Sequence, residues 1–506
     1  MTARLKRVAL FGEGIYSRSP IVTRQRRLNC YLEVRPDGDK AKIVLYGTPG
    51  LRLLFNASPA LNNPLRGLIG NLTALYGVTG NQFGSYSSSG ALLEAGSIGS
   101  TTGVVGMALN PTQVLVVDGS AGYIYSVNTG HVTQIPATQA FPNGARSACY
   151  CNGFFLAEDP GTNQFFVSNL NDGTLWSGLS FAAAVQAIDG IVAVDTLGGL
   201  AVIFSSGHCE FWQNVGAIQE PFQYITNSAQ MYGLAAVNGR CHAANAIVFL
   251  ANTNGGSFQN SSGGLQICSI AGYAVKVVST SDIDNILQTM ARTSTVTDCT
   301  AFSYQIDQHT FCQFNFPTAN RSLLLDMATG FWSEAQSGVA AGYAARHLGN
   351  LAAGAYGGAY VADYSNGNVY AFDPNVYTDN GNTIVRELVT KTGVEDFNTY
   401  RISQIYLDMR TGVGLPSPAA QGYAPVVQLQ VARDMRDFGA PRLFQLGQQG
   451  QYMQRVLSRR WGRARTSTLR VYMTDPVPFE ITSGAMLTSM RQGRRATGQA
   501  STSRSA

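Results

Sequence analysis

The sequence predicts an all-β protein: a six- or seven-bladed β-propeller inserted into a β-sandwich-like platform formed by N- and C-terminal segments. Three observations predict it. First, between residues 68 and 374 an apolar strand repeatedly enters a small polar turn and returns as a strand carrying an aromatic. Val114–Asp118 leads through Gly-Ser-Ala-Gly to Tyr123–Tyr125, and Tyr360–Asp363 through Tyr-Ser-Asn-Gly to Val369–Asp373. Asp and Gly supply the turn chemistry, and the alternating apolar positions supply a buried sheet face. Second, these pairs recur every roughly 40–60 residues, the spacing of four-stranded blades with insertions. Third, charged residues make up only 13% of the chain against roughly 25% in average domains, and 55 of 506 residues are Gly. That composition favours many short strands and tight turns, in a chain long enough for two or three units.

Residues 1–67 read as a basic arm followed by platform strands. Arg24, Arg26 and Arg27 precede a strand over Leu28–Glu33, Pro36-Asp-Gly38 is a turn, and Ala41–Tyr46 is the return strand, ended by Thr48-Pro-Gly50. The arginines read either as an interface or as a solvated loop. In the propeller, residues 68–374, paired strands are expected near Leu72–Tyr76, Val114–Val117, Phe154–Ala157, Leu200–Phe204, Ile247–Leu250, Thr310–Phe314 and Tyr360–Ala362. One helix is readable: Ser281-Asp282 caps it, and Ile283, Ile286, Leu287 and Met290 fall on one face at i, i+3, i+4 and i+7. A short turn at Phe181–Val185 is expected to pack against the propeller likewise. After Pro374 the hairpin rhythm stops. Ile384–Lys391, Arg401–Arg410, Val426–Arg433, Leu469–Tyr472 and Val477–Leu487 form the C-terminal platform, residues 375–487, whose sheet the strands before Thr48 complete. Residues 488–506 lack apolar periodicity and read as a disordered basic tail.

The net charge of +5 hides an asymmetry. Residues 1–42 carry ten Lys and Arg against four Asp and Glu, and residues 433–506 carry thirteen against four. The body between them holds twelve basic and twenty-two acidic residues, so basic ends flank an acidic middle. Nothing approaches the roughly 18 apolar residues of a membrane span, and Val8–Phe11 is too short for a signal-peptide core. The expectation is synthesis and retention in the cytoplasm. With no CxxC pair, the eight cysteines read as buried, reduced thiols.

A search for chemistry returns little. There is no phosphate-cradling GxxxxGK[ST], no HExxH and no GxSxG, and Gly12-Glu-Gly14 alone means little. His208-Cys209 and Cys241-His242 lack the paired spacing of zinc sites. Asp118, Asp172, Asp326, Asp363 and Asp373 all stand where a carboxylate bonds the next backbone N–H groups of a turn. No catalytic, cofactor-binding or metal residue is therefore assigned. The Ser168–Trp176 stretch is faintly similar to the Asp-box hairpins of sialidases, which keeps a propeller glycosidase or lectin acting on host polysaccharide as the alternative. The candidate interface is Arg24, Arg26, Arg27, Arg455, Arg459, Arg460, Trp461, Arg463 and Arg465. Arg with Trp suits nucleic acid, but also protein–protein hot spots, and basic ends on an acidic body favour the second.

Four stretches carry a resemblance: Asn29–Glu33 with Tyr46–Leu51; Asp189–Val194 running to Leu200–Ser205 and Cys209–Trp212; the Ile283–Met290 helix; and Ala432–Met435 with Arg459–Arg463 and Leu469–Val477. In order and spacing they resemble the tail hub or nozzle proteins of short-tailed bacteriophages, also called packaged-DNA stabilisation proteins or tail accessory factors. The resemblance implies a non-enzymatic virion protein forming a homohexamer below the portal and head-to-tail adaptor. It would extend the DNA channel, touch genomic DNA non-specifically, help retain the genome, and attach tailspikes or fibres and a plug or needle. It implies no cofactor, ring contacts through the end domain, and a place in the virion tail after assembly in the host cytoplasm.

Overall fold

The computed structural model describes residues 3–7, 10–12, 15, 19, 24–185, 190–253, 264–338, 346–394, 399–433 and 437–490. Seven antiparallel sheets make up the propeller. Blades 1 to 6 span 65–97, 106–134, 148–183, 191–224, 233–277 and 300–335. Blade 7 combines residues 349–373 with the early strand Gly50–Asn56, which pairs with Asn368–Asp373. The choice between six and seven blades is thus settled by an N-terminal strand that closes the ring as the outer strand of the last blade. The sequence reading had grouped that strand with the platform; its backbone pairs with blade 7 instead.

The seven strand positions expected from sequence all fall on the second strand of a blade. Gln113–Val117, Phe154–Glu158, Leu200–Ser205, Ala246–Asn252, His309–Phe316 and Gly358–Asp363 cover theirs, and Ala74–Thr79 lies slightly later than expected. Each second strand is covered on both faces by neighbouring blades, so it reads as a continuous apolar run; Val114, Leu115, Val116 and Val117 are fully buried. The outer strands Leu92–Ser97 and His131–Gln134 are mostly exposed and leave no such trace.

The single helix among the described residues, Ser281–Thr293, sits between blades 5 and 6. Ile283, Ile286, Leu287 and Met290 pack with Leu250, Ile267, Phe314 and Trp332. Its cap is Thr280, one residue before the expected pair; the Thr280 hydroxyl accepts from the Ile283 N–H. The expected turn at Phe181–Val185 is corrected: Phe181 to Ala183 continue the twelve-residue strand Asp172–Ala183, paired to Gln164–Phe166 with the Phe166 and Phe181 rings 5.8 Å apart.

The platform is a two-sheet sandwich. One sheet runs Cys30–Val34, Ile43–Gly47, Glu480–Met490, Tyr400–Met409, Val456–Ala464, with Ala3–Arg7 added alongside Glu480–Met490. The other contains Arg386–Val389, Thr466–Met473, Val426–Arg433 and Arg442–Gln445. Leu32, Leu45, Ile402 and Leu407 meet Val427, Leu429, Leu469 and Val471 between them. The second sheet does not stop at the sandwich. Arg26–Leu28 pairs antiparallel with Arg386–Val389 and parallel with Trp332–Ala335, so blade 6 and the platform share one continuous ten-stranded sheet. The tail expected from residue 488 starts later: 488–490 continue the strand Glu480–Met490, paired with Ala3–Arg7 and Tyr400–Met409, and residues 491–506 lie outside the described residues.

Candidate interface on the sandwich edge

The side of the sandwich away from the propeller ends in two edge strands, Arg442–Gln445 of one sheet and Val456–Ala464 of the other. Arg442 crosses between them. Its guanidinium donates to the carbonyls of Arg459 and Arg460, the latter at 2.9 Å, and lies 4.0 Å from the centre of the Trp461 ring. Opposite Ile402–Gln404 the Val456–Ala464 strand bulges, with Arg460 at φ 62° and Gly462 at φ 89°. A side chain at Gly462 would meet the Arg433 guanidinium at 2.8 Å. The bulge breaks the in–out alternation, so Arg459 and Arg460 are both exposed while Trp461 turns inward. A bulged, charged edge resists indiscriminate strand pairing.

Arg455, Arg459, Arg460, Arg463 and Arg465 are brought together on or beside this strand, all exposed. Sequence reasoning missed Leu443, Tyr452 and Met453, which are 64%, 72% and 88% exposed on the same edge and its preceding loop. Leu443 was findable, because it takes the outward phase of Arg442-Leu-Phe-Gln445. Apolar and aromatic side chains ringed by arginines have the composition of a protein–protein hot spot.

The N-terminal arginines go elsewhere. Arg27 is buried; its guanidinium donates to the Trp332 carbonyl at 2.7 and 3.0 Å and to the Gly12 carbonyl. Burial lowers it to about 10. Arg26 bridges Glu334 at 2.9 Å and Glu387 at 2.8 Å. Arg321 pairs with Glu334, and Arg470 reaches Glu387 at 2.6 Å. These five side chains form an alternating ion network along the shared sheet, an internal weld between propeller and platform. Arg24 is half-buried. Arg26 and Arg27 therefore do not belong to the outer basic surface.

The other sequence-level readings resolve locally. The carboxylates of Asp118, Asp172, Asp326, Asp363 and Asp373 each accept from the backbone N–H two residues on, at 2.8–3.0 Å. All eight cysteines are free and buried, and burial pushes the Cys30, Cys209 and Cys268 thiols up to about 12. His242 turns to Asp195, whereas Cys241 packs in the blade 5–6 seam with Cys299 and Cys312. Among the described residues no three His, Cys, Asp or Glu side chains come together to hold a metal. Nor is any helix there long and apolar enough to cross a membrane.

A family model described as the bacteriophage P22 Gp10 β-propeller matches residues 23–377. The chain belongs to the bacteriophage P22 Gp10 family. A second model, the P22 Gp10 β-sandwich, matches residues 385–488, so the Gp10 description covers both parts of the fold. The resemblance to tail hub or nozzle proteins of short-tailed phages is thereby established, and with it a structural role in the phage tail for this Gp10-family chain. A comparison with curated proteins found no match. Among solved structures, the Neurospora crassa Pan2 WD40 domain is 11% identical, covers 65% of this chain and 95% of its own, with a TM-score of 0.41. The N-terminal domain of Nup159 is 9% identical over 67% of this chain and 97% of its own, with a TM-score of 0.39. Superpositions that loose carry no functional argument for the Gp10 chain.

Proposed function

We propose that this Gp10-family protein is a non-enzymatic subunit of a homohexameric tail nozzle below the portal and the head-to-tail adaptor. Six copies enclose an extension of the DNA channel, touch the genome non-specifically, help retain it until ejection, and present surfaces to tailspikes or fibres and to a plug or needle. The ring is built in the host cytoplasm and serves in the virion tail. The observation that supports this reading is the free sandwich edge, where Leu443, Tyr452 and Met453 stand beside five exposed arginines on a chain whose body is acidic. Complementary charge sets register and suppresses wrong partners, and cyclic closure multiplies modest contacts.

Mass measurement of the purified protein with its adaptor tests the proposal. The expected product is a six-copy ring on the adaptor. Replacing Arg459, Arg460 and Arg463 together by Glu should leave the melting temperature nearly unchanged and prevent the ring. A chain that stays monomeric with adaptor present, or a ring indifferent to the charge reversal, overturns it.

A further inference from the structure

The propeller axis holds a cavity of about 610 Å³, lined by the innermost strands of all seven blades. It adjoins a wider mouth of about 900 Å³ that shares His242 and Ser303 with it. Such volumes suit a small molecule rather than a polymer. The innermost strand of blade 5 is interrupted: Gly233–Leu234 and Arg240–Ala243 both pair with Ala246–Asn252. Arg240 ties the interrupted strand to blade 4. Its Nε donates to Asp195 Oδ2 at 2.7 Å, Nη2 to the Val194 carbonyl at 3.0 Å, and Nη1 to the Val237 carbonyl.

Asp195 is the one carboxylate lining the cavity among the described residues. Both of its oxygens are occupied: Arg240 takes Oδ2, while Oδ1 accepts from the Thr196 N–H at 2.8 Å and lies 2.8 Å from His242 Nε2. With Arg240 already neutralising Asp195, a proton on His242 adds an uncompensated positive charge. The His242 side chain is 52% exposed, and its second ring nitrogen makes no hydrogen bond among the described residues. Arg146, two residues before the blade 3 inner strand Ala148–Cys151, adds another cation. Glu158 takes its backbone N–H at 2.6 Å, yet the guanidinium has no carboxylate partner among the described residues. Asn238 and Ser303 contribute neutral polar groups. The ionisable lining is thus three cations to one satisfied carboxylate, inside a body whose charge balance is acidic.

From this geometry we infer that the axial cavity is a binding site for a small anion carrying a phosphate or carboxylate group, held by Arg146 and protonated His242. Charge-assisted hydrogen bonds from two cations lining one concave recess supply both affinity and orientation. The charged groups acting on His242 are Asp195 from blade 4 and Arg240 from its own strand, while Arg146 of blade 3 lines the same cavity. Asp195 raises His242 above its ordinary 6.5 against burial and the repulsion of Arg240. Anion binding therefore weakens as pH rises through the raised His242 value.

Isothermal titration of the full chain with inorganic phosphate, glucuronate and galactose tests the site. Phosphate or glucuronate should bind, the tighter one identifying the anionic group, and galactose should not. Arg146→Ala and His242→Gln should each weaken binding about tenfold, a loss of ~1.4 kcal/mol; Gln keeps a donor for Asp195. Arg463→Ala, on the sandwich edge, should leave it unchanged. Wild-type affinity for glucuronate, whose own charge is constant over this range, should also fall from pH 6 to pH 9, a readout that needs no variant. Failure of both anions to bind, galactose binding as tightly, cavity variants that bind as tightly as wild type, or an affinity for glucuronate unchanged between the two pH values overturns the inference.

Discussion

Asp363 illustrates what a single turn residue does in this propeller. It is buried, and its carboxylate accepts from the Ser365 N–H and hydroxyl at 2.8 Å, the Tyr370 hydroxyl at 2.7 Å and the Asn366 amide at 3.1 Å. Removing a buried acceptor strands several donors, so Asp363→Ala should destabilise the propeller by about 2–3 kcal/mol, measured by urea denaturation. Asp373→Ala, which frees one turn N–H and the surface partner Arg52, should cost less than about 1 kcal/mol. Two histidines shape the pH profile in opposite senses. His242 is raised by Asp195, so its contribution is complete below pH 6.5 and disappears as pH climbs through the raised value. His347 is lowered by burial, so its contribution is complete above pH 6.5 and disappears as pH falls through the lowered value. Melting His242→Gln beside wild type should show a gap at pH 6 that narrows as pH rises through the raised His242 value. His347→Gln should lose its deficit on the acid side instead. The turn aspartates were legible in the sequence because a carboxylate two residues ahead of its donor is a local pattern. The Asp195–His242 pair was not, because its members lie 47 residues apart on different blades.

The element that decides the architecture is three residues long. Arg26–Leu28 carries blade 6 into the platform, and the Arg26 guanidinium sits between Glu334 and Glu387, whose side chains are 6% and 4% exposed. Taking away that cation leaves two buried carboxylates short of a partner, a loss of about 3 kcal/mol. Calorimetry of Arg26→Ala should resolve separate propeller and sandwich transitions where the wild type unfolds as one; a single unshifted transition would count against the weld. Sequence patterning found the second strand of every blade, since an apolar run buried on both faces announces itself. It found the amphipathic helix by its 3.6-residue period. It read Arg26 and Arg27 as an outward-facing basic patch or loop because their partners lie 308 and 361 residues downstream for Arg26 and 305 for Arg27. A charge cluster reads the same whether it faces water or a distant carboxylate. The sandwich edge was half legible: its arginines stood out, whereas Tyr452 and Met453 sit in a loop without periodicity.

At the scale of the whole molecule, ring closure depends on Gly50–Asn56. Its Leu51 is buried and faces Phe372 in the pairing, and the Leu51 carbonyl accepts from the Asn380 N–H at 2.9 Å. Leu51→Pro removes a ladder donor and the packed side chain together. The expected outcome is a propeller transition several degrees lower, with proteolysis beginning at the blade 7–blade 1 junction, while the sandwich transition holds; an unmoved propeller transition would refute this account of closure. The continuous sheet through blade 6 has a mechanical consequence. A tug on the sandwich cannot be absorbed by a slack tether, because the first thing it meets is strand laid against strand. Tension along those strands loads their hydrogen bonds in parallel, as shear, rather than opening them one at a time like a zip. Whatever pulls on the platform moves the disc with it, and the protein transmits torque and thrust as a single stiff lever.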